Sequence, residues 1–178
     1  MTRQCTGVAV RAESEINVAG GNPVNVGVRR GRIGMPLVDF DTFTVEAPDG
    51  WSDFTEEVEA EDPLYTLAHE DGVGALQFSL ALYTAGRVPD PSPAELLDMV
   101  KEFGQKKRLG KATALVSESG PPVLAAGSFA WDEDFLRVWQ VSDGRNFAFI
   151  TYTCERQDAG QELATCEQIV RSIEFGRA

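Results

Sequence analysis

The sequence predicts an α+β fold, an antiparallel β-sheet with helices packed on it. Three observations carry the prediction. An apolar strand pattern at Phe147–Cys154 runs into an amphipathic helical pattern over about Gly160–Glu174. A second helix, with clear start and stop signals, follows Ser92 in mid-chain. Between the two lie strand patterns joined by short turns, and consecutive strands joined this way pair antiparallel. Helices separated by a run of hairpins give an α+β sandwich, not a doubly wound sheet.

The first 34 residues differ from the rest. Short Val-containing pieces are cut by Gly20-Gly21, Asn22-Pro23, Gly27, Gly31 and Gly34, with no sustained period. They are expected to form a flexible or irregular N-terminal arm. Two readings of it stay open: a real arm that adds an edge strand, or translated upstream sequence before a native start at Met35. Residues 35–178 then form a single domain. Phe40, Thr42, Thr44 and Glu46 alternate with Asp41, Phe43, Val45 and Ala47 in a strand that ends at Pro48-Asp49-Gly50. Trp51 and Phe54 are expected to seal one end of the core.

Leu64–His69 and Gly74–Ala85 flank Glu70-Asp71-Gly72, a hairpin signal. In the second of these strands Leu76, Phe78, Leu80 and Leu82 point to one face, so that face is covered. Ser92-Pro93-Ala94-Glu95 is a capping box with proline in the first turn, and it opens a helix expected to bury Leu96, Met99, Val100 and Phe103. Lys106, Lys107 and Arg108 suit the negative end of that helix, and Gly110 stops it. Strands follow at residues 112–119, 123–131, 135–142 and 146–154, with Asp132-Glu133-Asp134 and Asp143-Gly144-Arg145 among the turns. The last helix is expected to bury Leu163, Cys166, Ile169, Val170 and Ile173.

A chain of 178 residues fits one domain with a substantial core. No apolar run approaches the roughly 18 residues of a membrane span, and the N-terminus has no continuous apolar stretch of the signal-peptide kind. Three cysteines do not make a disulfide framework. These features lead to the expectation of a cytoplasmic, bacterial-style protein. The formal net charge is −12. Residues 35–178 carry more of it than the whole chain, because the five arginines of the first 34 residues offset only two glutamates. Such a surface repels phosphate backbones, so nucleic acid is not an expected partner.

The body resembles the Mog1/PsbP-like family, including its DcrB-type bacterial domains. The resemblance rests on Phe43-Thr44-Val45 leading into Pro48-Asp49-Gly50-Trp51, on the helix Pro93–Leu109, and on Phe149-Ile150-Thr151-Tyr152-Thr153 before Ile169-Val170-Arg171-Ser172-Ile173. It implies a Mog1/PsbP-like sandwich and a non-enzymatic role: binding a small GTPase, docking on a photosystem, or chaperoning secreted effectors.

No catalytic residue, metal site or cofactor is expected. His69 is the one histidine, which removes most metal sites and acid–base triads, and no nucleophile motif accompanies it. Cys154 and Cys166 are read as buried thiols behaving as small hydrophobes, with a redox pair as the alternative, and Cys5 as an exposed thiol.

The acidic run Asp53, Glu56, Glu57, Glu59, Glu61 and Asp62 lacks the spacing of a calcium loop. It suits docking of a basic partner, or is a solvated loop. Phe135, Arg137 and Trp139 share a strand face, open to a partner unless the final helix or the N-terminal arm covers it. The sequence therefore predicts a non-catalytic protein-binding module, an adaptor, effector chaperone or immunity-type partner. An enzyme using carboxylates with His69 or Cys154, and a structural accessory domain, are the alternatives.

Overall fold

In the computed structural model the described residues are 29–30, 35–57 and 64–176. The rest of the N-terminal arm, with Cys5, and three members of the acidic run (Glu59, Glu61 and Asp62) lie outside them. In chain order the elements are β1 (Arg29–Arg30), β2 (Pro36–Asp39), β3 (Phe43–Glu46), β4 (Trp51–Asp53) and a 3-10 turn at Thr55–Glu57. Then come β5 (Tyr65–His69), β6 (Gly74–Ala81), α1 (Pro93–Lys106), β7 (Thr113–Glu118), β8 (Val123–Trp131), β9 (Asp134–Ser142) and β10 (Phe147–Glu155). A 3-10 turn at Arg156–Asp158 leads into α2 (Ala159–Arg171) and β11 (Glu174–Phe175).

All strand pairs are antiparallel. One sheet has seven strands in the order β4-β5-β6-β10-β9-β8-β7, and a smaller one has the order β1-β2-β3-β11. The α+β prediction holds, with the meander β7-β8-β9-β10 forming one side of the large sheet. The β5–β6, β8–β9 and β9–β10 hairpins return through the turns expected, and Asp132 takes φ +51° in the tight β8–β9 turn.

The inner face of the large sheet carries Leu67, Leu76, Phe78, Trp139, Ile150 and Tyr152, all buried. Against it pack Phe43, Val45 and Ala47 from the small sheet, and Cys166, Ile169, Val170 and Ile173 from the last helix and the residues that follow it. The outer face is covered by α1, which lies over β8 with β7 and β9 at its flanks. Leu96, Val100 and Phe103 meet Ala125, Phe129, Leu136 and Val138 there. Gly104 permits the approach: a Cβ at that position would lie 2.2 Å from the Phe129 ring.

The capping box forms as predicted. Ser92 Oγ accepts from the Glu95 backbone N–H, and the Glu95 carboxylate accepts from the Ser92 backbone N–H at 2.8 Å.

Some expectations are corrected. Met99 is 39% exposed. Because α1 sits at the margin of the sheet, only the stripe through Leu96, Val100, Phe103 and Gly104 is covered. Phe40 does not share a strand with Thr42, Thr44 and Glu46, since β2 ends at Asp39 and β3 begins at Phe43. Asp41 at φ +65° turns the chain there, and Phe40 swings into the core to stack on Phe43 at 4.7 Å between ring centroids. Trp51 does enter the core, whereas Phe54 is half-buried outside it. The last helix stops at Arg171, and Ser172 turns the chain into β11, which pairs with β3.

Candidate functional site

The sheet register decides which polar residues meet. On β9 the inner face presents Phe135, Arg137 and Trp139, the set expected to be open to a partner. That expectation is corrected: Trp139 is fully buried, Arg137 is 3% exposed, and Phe135 is half-buried against the core. The apolar stripe of α2 has nowhere else to go, so it settles on this face. Arg137 lies under α2 because Glu167 compensates its charge: Nε and Nη2 both donate to Glu167 Oε1, at 3.0 and 2.7 Å. Its Nη1 donates to Ala114 O at 2.7 Å and to Ser128 Oγ at 3.1 Å. Arg171 then bridges Glu167 to Glu118 on β7. The guanidinium also lies 5.6 Å from the centre of the Trp139 ring.

The described part of the predicted acidic run sits beside β4 and β5. Asp53 spends Oδ1 on its own turn, accepting from the Thr55 backbone N–H at 2.8 Å and from the Thr55 hydroxyl. Glu56 and Glu57 are exposed on the 3-10 turn that follows.

A second acidic surface was not visible as one feature in the sequence. Trp131 pairs with Asp134 across the β8–β9 turn, Glu155 pairs with Asp134, and Cys154 pairs with Gly74, just after the β5–β6 turn. The register therefore brings Asp132, Glu133 and Asp134 to the same end of the sheet as Glu155, Asp158, Glu70 and Asp71. Read along the chain, each run is an ordinary turn. Only the strand pairing gathers them. Arg156 is held within this end, donating from its backbone N–H to Glu133 O at 2.8 Å and from Nη2 to Asp132 O. An open cleft of about 520 Å³ is lined by Asp132, Glu133, Glu155, Arg156 and Gln157.

Trp131, 37% exposed, stands at the rim of this acidic end. On its other side the end of α1 brings Lys106, Arg108 and Lys111, since Phe103 and Phe129 pack together two residues short of Trp131.

The polar groups nearest the core tie elements together. Tyr152 donates its hydroxyl hydrogen to Glu162 Oε2 at 2.9 Å, and the Gly74 N–H donates to the same oxygen at 3.2 Å. This fastens the first turns of α2 to β6 and β10. Burial first, and then the neighbouring Cys154 and Glu162, hold the Tyr152 hydroxyl proton on well above the ordinary range. Cys154 and Cys166 are free thiols, both buried. Burial pushes both thiols up, so they stay protonated and unreactive. His69 packs edge-on against Trp51 at 6.2 Å, and its Nδ1 accepts from the Asp71 N–H at 3.1 Å, which places its proton on Nε2. Among the described residues no group of three or more His, Cys, Asp or Glu side chains is placed to hold a metal ion. No helix among them is long and apolar enough to cross a membrane.

No known protein family matches the sequence, and no curated protein does. Solved structures do match by shape. A protein from Bacteroides thetaiotaomicron VPI-5482 is 14% identical, with a TM-score of 0.47 over 76% of this chain and 46% of its own. This chain thus spans about half the length of that protein. The solution structure of the cyanobacterial PsbP protein CyanoP, from Synechocystis sp. PCC 6803, is 11% identical. There the TM-score is 0.50, over 90% of this chain and 98% of the other. This likeness over nearly the whole of both chains shows the fold: the chain has the PsbP/Mog1-like α+β fold.

Proposed function

We propose that this protein is a non-catalytic binding module that receives a basic or amphipathic segment of another protein, in the manner of a bacterial cytoplasmic adaptor, effector chaperone or immunity-type partner. The observation that carries the reading is Trp131, a solvent-facing tryptophan at the rim of an end of the sheet crowded with carboxylates. Tryptophan anchors interfaces out of proportion to its frequency, and surrounding carboxylates speed the approach of a cationic partner. Glu56 and Glu57 form a separate exposed acidic stretch on the 3-10 turn after β4, and a surface of this charge disfavours phosphate backbones. The two free cysteines accord with a reducing compartment.

The test is capture from source-organism lysate at low and at high salt. One discrete partner, lost at high salt and lost again on Asp132→Lys with Glu133→Lys, supports the reading. Loss on Glu56→Lys with Glu57→Lys instead would move the site to the predicted acidic run. No partner at either salt would remove the docking role altogether.

A further inference from the structure

The strand β7 is one edge of the seven-stranded sheet, and such an edge is a template for a second strand. Its residues Thr113, Ala114 and Leu115 are all exposed. We infer that Arg137 holds a bulge in β7 that denies this edge to another chain. Opposite β8, Thr113 pairs with Ser128 and Val116 with Ala126, so β7 carries one extra residue between them. Ala114 takes φ +45°, a left-handed conformation that an alanine adopts only at a cost. Its carbonyl is held by Arg137 Nη1 at 2.7 Å, from beneath the sheet, and Arg137 is itself clamped by Glu167 of α2.

The far end of the strand is tied to the same helix, since Arg171 donates to both oxygens of Glu118 at 3.1 and 2.7 Å. Both ends of β7 are thereby fixed to α2, and the bulge twists the edge out of the flat geometry that strand addition needs. The buried arginine accordingly acts on assembly from inside the molecule, through the one carbonyl of the edge strand that it holds.

Three full-length variants test this by sedimentation over a range of concentrations, with hydrogen exchange at residues 113–117. Ala114→Val alters only an exposed side chain, but a β-branched residue resists φ above zero and straightens the strand. It is expected to self-associate at least tenfold more tightly than the wild type, with new amide protection confined to β7. Arg137→Met is expected to do the same. Ala114→Gly accepts the bulge freely and is expected to sediment as the wild type does. If Arg137→Met fails to fold, the two Ala114 variants decide alone. Ala114→Val matching the wild type in both measurements would overturn the inference. So would association without new protection in β7, or Ala114→Gly associating as strongly as Ala114→Val.

Discussion

Arg137 shows how a single residue can carry opposite meanings in the sequence and in the structure. By type and by strand position it resembles an interface anchor. In the fold its charge is matched by Glu167, and its remaining donors reach Ala114 and Ser128. Truncation to alanine leaves those acceptors unpartnered and Glu167 short of a cation. The expected loss is about 3–5 kcal/mol of stability by urea denaturation. A loss below about 1 kcal/mol would show the network to be incidental.

Trp139 beside it leaves its indole N–H without a hydrogen-bond partner, the one such buried side-chain atom among the described residues. Cys166 gives a pH signature. Burial raises its folded thiol above the unfolded value of about 8.5, so the unfolded chain releases its proton first. The contribution is whole below about pH 8.5 and declines as pH rises further, by about 1.4 kcal/mol per pH unit for one proton. Cys166→Ala is expected to flatten the alkaline limb of the stability profile between about pH 8.5 and 10. An unchanged slope would contradict the burial of that thiol.

At the scale of elements, α1 is the part most fully written in local sequence. Ser92, Pro93 and Glu95 specify its start, and Leu96, Val100 and Phe103 its buried stripe. Ser92→Ala is expected to cost about 0.5–2 kcal/mol. Leu96→Ala should cost about 2–5 kcal/mol. Met99→Ala should stay within about 0.5 kcal/mol, because the residue is exposed. Equal losses at Leu96 and Met99 in thermal or urea melts would refute the placement of α1 at the sheet margin.

The hairpins were legible for the same reason, since their signals span a few adjacent residues. What periodicity could not supply was the depth of cover over each face. It marked Met99 as apolar without showing that the sheet ends beneath it. It also showed two faces on β9 without showing that α2 would close one of them. The turn at Asp41 was missed because a left-handed aspartate leaves no period to read. The acidic end was missed because strand register, a long-range property, assembles it from three separate turns.

For the whole molecule, both faces of the large sheet receive cover: α2 and the small sheet on one, α1 over part of the other. The proposed recognition surface is the end of the large sheet where Asp132, Glu133, Asp134, Glu155, Asp158, Glu70 and Asp71 meet. In the proposed docking role, the net charge of −12 supplies long-range attraction to a cationic partner, and such attraction weakens as salt shortens its range. The acidic end with Trp131 is the binding surface proposed for this protein.

The most direct measurement is the affinity of the captured partner, by titration across a salt series, for the wild type, Trp131→Ala and Asp132→Lys with Glu133→Lys. The account predicts a loss of tenfold or more for Trp131→Ala at every salt concentration. It also predicts a shallower salt dependence for the charge-reversed protein. Affinities and salt slopes equal to the wild type in both variants would contradict it.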